Sequence, residues 1–100
     1  MNSGRFKNAI NSEKIVLVNF YADWCVPCKL MDPVLEKVKN DLKNSIKIIK
    51  VNVDRNPFIA ATYKIRSIPT LVAFINGSIY WKGVGLKTAR EIKSALKKQG

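Results

Sequence analysis

The sequence predicts an α/β fold in which a central sheet of four strands is covered by helices on both faces. Three observations carry this expectation. "KIVLVNFYA" at 14–22 and "SIKIIKVNVD" at 45–54 are β-branched runs with little alternation, the pattern of strands buried on both sides. Between them the apolar period changes to that of a helix. Further on, Asn76-Gly77 separates two more β runs, the strongest short-range hairpin signal.

Each element follows in order. "GRFKNAIN" suits a short amphipathic helix around Phe6, Ala9 and Ile10. From Pro27 onward Leu30, Met31, Val34, Leu35, Val38 and Leu42 recur at helical spacing, with Lys29, Glu36, Lys37, Lys39 and Asp41 elsewhere. Pro33 lacks the N–H that would bond the Lys29 carbonyl, which predicts a kink. Asn56 and Pro57 supply an N-cap and a first-turn proline for a short helix through Ala60, Ala61 and Tyr63. "TLVAFINGSIYWKGV" forms the hairpin. Thr88 and Glu91 make a T-x-x-E capping box, opening a helix with Ala89, Ile92 and Leu96 inward and Arg90, Lys93, Lys97 and Lys98 toward water. The order is α-β-α-β-α-β-β-α, and no linker or repeat divides residues 1–100, so one domain is expected.

One hundred residues, 47% of them hydrophobic, suffice for a core without staples, and two cysteines are too few for a disulfide scaffold. The opening "MNSGRFKNAI" shows no secretory signal, and the longest apolar run, "LVAFI" at 71–75, is far too short to span a membrane. A soluble cytoplasmic monomer is the expectation. Eighteen Lys and Arg against seven Asp and Glu, with no His, give a net charge of +11. Nucleic acid, an acidic partner or a solvated lysine surface could each account for that balance. The bases form no dense block and no nucleic-acid motif is present, so nucleic acid is not an expected partner.

The chemistry concentrates in "DWCVPCK" at 23–29, which holds both cysteines. A closed zinc site needs four ligands, and two Cys without His cannot supply them within one monomer. As a staple the pair closes a loop too small to remove much unfolded-state entropy. Redox chemistry does need this spacing. At a helix start Cys25 sits where unpaired N–H groups and the macrodipole favour a thiolate, the form that attacks a disulfide. Cys28, one turn deeper, is placed to attack the mixed disulfide, and Pro27 fits the first turn because its missing N–H would be unpaired anyway.

At these residues the chain resembles the thioredoxin family. "YADWCVPCK" is similar to its active-site segment, "SIPT" at 67–70 to its cis-proline loop, "VNVDRNP" to the stretch after its central strand, and "FINGSIYWKGVG" to its hairpin and following glycine. The resemblance implies the thioredoxin fold, with a mixed four- to five-stranded sheet whose first strand is short or absent here. It implies Cys25 as the exposed nucleophile, Cys28 as the resolving cysteine and Pro69 as a cis-proline facing them. Ile68 matches the residue whose backbone pairs with a bound substrate strand. Trp24, Thr70, Val84 and Gly85 match the rim of the substrate groove, to which Val26 and Pro27 also belong. The implied activity is reduction of disulfides in client proteins by a Cys25/Cys28 cycle. No metal or organic cofactor is implied, and electrons would come from an NADPH-dependent flavoprotein thioredoxin reductase.

Two positions depart from the family. Asn19 stands where the family usually keeps a buried aspartate, and Lys50 matches that aspartate's lysine partner. Asparagine cannot take up a proton. Its presence is expected to favour thiolates and make the disulfide more oxidising, and it makes a buried Lys50 a candidate base. The milder alternative is an Asn19 hydrogen-bonded to Lys50 or water. Val26 replaces the glycine common among the family's reductases. Both departures keep a disulfide oxidase or isomerase open as an alternative, and the positive charge keeps open a basic binding module of the same fold.

Overall fold

Ile15–Tyr21 (β1) is the inner strand around which the chain is organised; the structure, a computed structural model, describes residues 1–97. β1 pairs in parallel with Ile46–Asn52 (β2) and antiparallel with Thr70–Ile75 (β3), which pairs antiparallel with Ser78–Val84 (β4). Among the described residues the sheet is four-stranded, in the order β2-β1-β3-β4. Its period-2 alternation separates two cores. Val16, Val18, Phe20, Val72 and Phe74 pack with Phe6 and Ile10 of Ser3–Ile10 (α1) and Ile59 of Pro57–Thr62 (α3). On the other face Leu17, Leu71 and Ala73 meet Met31, Leu35 and Val38 of Val26–Leu42 (α2) and Ile92 and Leu96 of Ala89–Lys97 (α4). With both faces covered, β1 and β3 are buried almost throughout, as their unalternating sequences predict.

Turn chemistry follows the sequence closely. Asn76 and Gly77 both adopt positive φ, 50° and 80°, the conformation that suits a two-residue hairpin. In the capping box the Thr88 N–H donates to Glu91 Oε1 at 2.9 Å and the Glu91 N–H to Thr88 Oγ1 at 3.1 Å. The Thr88 N–H, with the Thr88 hydroxyl beside it, holds the Glu91 carboxyl below its usual range.

Four expectations need correction. β2, expected to be buried on both sides, is an edge strand with Lys47 and Lys50 exposed and Ile48 and Ile49 half-buried. Leu30 is 55% exposed, because it lies about 100° around α2 from Met31 and faces away from the sheet. Asn56 precedes α3 but makes no side-chain cap; its Nδ2 donates instead to the Asn52 carbonyl at 2.9 Å. Lys93 does not simply face water: its Nζ meets Asp41 Oδ2 at 2.6 Å and ties α4 to the end of α2. Lys98 lies outside the described residues.

Candidate active site

β1 delivers the chain to the site. After Tyr21 the chain turns, the Cys25 N–H bonding the Ala22 carbonyl at 3.2 Å, and Cys25 becomes the N-cap of α2. The cap is a sulfur: Cys25 Sγ accepts the Cys28 N–H at 3.2 Å. Pro27 stands in the first turn, where no N–H is required of it. Cys25 and Cys28 are joined by a disulfide, their Cα atoms 5.2 Å apart. Both sulfurs belong to a small cluster with Ala22 that packs against Tyr21, Val53 and Ile68.

Cys25 is only 4% exposed, against the expectation of an exposed nucleophile. The physical reason is the cap, which turns its sulfur toward the helix and Cys28 while Trp24 and Val26, 69% and 64% exposed, project outward on either side. Cys25 is reached through a groove of about 570 Å³ lined by Trp24, Val26, Pro27, Val53, Ile65 and Ile68, with Arg66 its charged lining residue. The Trp24 indole N–H donates to Asp54 Oδ2 at 2.8 Å, which fixes the ring beside the groove. Nothing in the sequence pattern marked Asp54 for this task.

The loop facing the cysteines carries a cis Ile68–Pro69 bond, as the "SIPT" resemblance implies. Gly85 closes it from the far strand, its N–H donating to the Pro69 carbonyl at 2.8 Å with φ at 88°, a conformation that favours glycine. Val84 is exposed beside it. Thr70 is not on the rim: it is 1% exposed, and its hydroxyl donates inward to the Ser67 carbonyl at 2.7 Å. Its position as the first residue of β3, paired with both Phe20 and Val84, turns it into the sheet.

Behind the disulfide the arrangement differs from the expected one. Asn19 is fully buried, and its Oδ1 and Nδ2 have no hydrogen-bond partner among the described residues. Lys50 is its register neighbour on β2, yet the lysine is neither buried nor bonded to it. β2 is an edge strand, so the long side chain runs outward, lies 4.4 Å over the Tyr21 ring and pairs with Asp32 Oδ1 at 3.1 Å. The expectation of a buried, unpaired Lys50 is therefore not met. Asp32 was missed by sequence reasoning, although its signal was present: it stands four residues after Cys28, hence on the same side of the helix. Tyr21, Asp23, Cys28, Lys29, Asp32 and Lys50 line one pocket of about 330 Å³.

Comparison with known proteins agrees with this geometry. A family model described as thioredoxin matches residues 1–98. A thioredoxin from Rickettsia felis is 38% identical over 92% of this chain and 88% of its own length. One from Porphyra purpurea is 41% identical over 92% of this chain and 86% of its own. A chain from a structural study of the thiol resolving mechanism in yeast mitochondrial 1-Cys peroxiredoxin superposes with a TM-score of 0.87 at 29% identity, covering 96% of this chain and 90% of that one. A dithiol–disulfide pair capping a helix beside a cis-proline loop thus sits in a chain that belongs to the thioredoxin family, and it is a thiol–disulfide oxidoreductase.

Proposed function

We propose that this chain reduces disulfides in client proteins through a Cys25/Cys28 cycle, as a cytoplasmic monomer with no metal or organic cofactor. The observation that carries the reading is Cys25 Sγ at the N-cap of α2, accepting the Cys28 N–H at 3.2 Å beside an apolar groove. In the dithiol form the same helix end favours a thiolate, the species that attacks disulfides. Cys25 attacks a client disulfide and expels one client thiolate. Cys28 then attacks Cys25 Sγ, forming the bond present here and releasing the second client thiol. An extended client segment pairs with the Ile68 backbone next to Pro69. Trp24, Val26, Pro27, Val84 and Gly85 supply the rim, while Thr70 holds the loop from behind. An NADPH-dependent flavoprotein reductase restores the dithiol. The +11 net charge draws in acidic clients rather than nucleic acid.

Asn19 and Val26 favour a second reading, the same exchange run toward disulfide formation or shuffling. The equilibrium of the pair with glutathione, read by thiol alkylation, separates the two. The reductase reading predicts that most of the protein keeps its disulfide at a glutathione poise of about −240 mV. A predominantly dithiol population under those conditions would reverse the assignment.

A further inference from the structure

Resolution of the mixed disulfide needs Cys28 as a thiolate, and Cys28 is only 3% exposed. Burial favours the neutral thiol, so a proton acceptor within reach decides how fast this step runs. Asn19, fully buried on the sheet face that carries α2, is an amide and offers no basic site. The groups sharing the pocket with Cys28 are few. Lys29 and Lys50 are ammonium groups with donors only, and Tyr21 is a neutral phenol. Asp23 precedes α2, and its side chain, 69% exposed, leans out to the Arg55 guanidinium at 3.5 Å, whereas Asp32 stands on the helix of Cys28 one turn further on. Asp32 remains.

We propose that the Asp32 carboxylate, held in place by Lys50, receives the Cys28 proton during resolution, the work being done from helix α2 rather than from strand β1. Residues four apart on a helix stand about 5–6 Å apart at Cβ, within reach directly or through one water. Lys50 Nζ fixes Oδ1 at 3.1 Å and lies against the Tyr21 ring, so the carboxylate is anchored at the mouth of the Cys28 pocket. Glu36 and Lys39, one and two turns further along α2, flank the other side of the Asp32–Lys50 pair in a neighbouring pocket. With its side chain 51% exposed, Asp32 passes the proton on to solvent. The step balances: the Cys28 proton goes to Asp32, the Cys28–Cys25 bond forms, and the Cys25–client bond breaks with its electron pair leaving on the client sulfur. Two electrons pass from the dithiol to the client disulfide. The inference rests on the proposed Cys25/Cys28 cycle.

The test is stopped-flow reaction of the reduced protein with a chromophoric aromatic disulfide, whose two thiolates are released in sequence. Asp32→Asn is expected to leave the first release within about twofold and to slow the second by about tenfold near neutral pH, the deficit closing as pH rises. Asp32→Glu restores most of the second rate. A second release with the same rate and pH profile in Asp32→Asn as in the wild type would overturn the assignment. So would a second release slowed by Lys50→Met but not by Asp32→Asn, which would place the step on the lysine. Failure of the underlying cycle reads differently, as a wild-type protein that gives no first release.

Discussion

Cys25 and Cys28 share one bond and one buried cluster, yet the surface reaches them from two unlike sides. The groove at Cys25 is walled by Trp24, Val26, Pro27, Val53 and Ile68, with Arg66 as its charged residue. The pocket at Cys28 is walled by Asp23, Lys29, Asp32 and Lys50. Docking a polypeptide calls for apolar area and a backbone edge, whereas moving a proton calls for charged groups and water. The difference teaches that a spacing of three residues can set two bonded sulfurs between an apolar groove and a charged pocket, a layout suited to the division of labour proposed above.

The largest effect should come from the groove side. Trp24 is exposed but oriented by Asp54, the arrangement of a preorganised anchor. Trp24→Ala is expected to raise KM for a protein disulfide about tenfold, equivalent to about 1.4 kcal/mol, with kcat little changed. A matching fall in kcat would move Trp24 from docking into the chemistry and break the division. Next comes the buried amide between the two sides. Asn19→Leu removes two unpartnered polar atoms from a fully buried position. Stability should rise by about 1 kcal/mol, seen as a Tm increase of about 4–8 °C. A lower Tm would mean that the amide has a buried water as its partner.

The smallest effect belongs to the far end of α2, away from both sides. Hydrogen bonds from Lys93 and Lys37 hold the Asp41 carboxyl below its ordinary range. A carboxylate with a depressed folded-state pKa contributes stability above its unfolded value and loses it as pH falls. The α2–α4 tie should therefore weaken only below the ordinary aspartate range, and Lys93→Met should reduce that acid sensitivity. Hydrogen exchange on α4 across an acid series checks this, and an equal change at neutral pH would contradict it.

Much of this organisation is legible in the sequence, for reasons particular to each element. β1 declares itself because a strand covered on both faces loses its alternation, and the hairpin because Asn76-Gly77 suits a turn with two positive φ values; β2 is legible as a strand, but its place at the sheet edge is not. Cys25 and Cys28 are legible because a helix start is where a thiol becomes useful. Burial of individual side chains is harder to read. Leu30 obeys the helical period yet sits at the edge of the apolar stripe, and Thr70 looks like a rim residue until pairing on both sides draws it into the sheet. The sequence reads Lys50 through its match to the lysine partner of the family's buried aspartate, but a side chain that long selects its partner in space, and the partner lies on α2. Asp32 went unread because an acidic residue on an amphipathic helix normally signals only a solvated face.

The most direct test compares adducts of the reduced Cys28→Ser and Cys25→Ser proteins with a disulfide-bonded client, mapped by mass spectrometry. A lasting mixed disulfide is expected on Cys25 in the first variant and almost none on Cys28 in the second, because of the two cysteines only Cys25 lines the groove. Comparable adducts on both cysteines would show that the two sides are not functionally distinct.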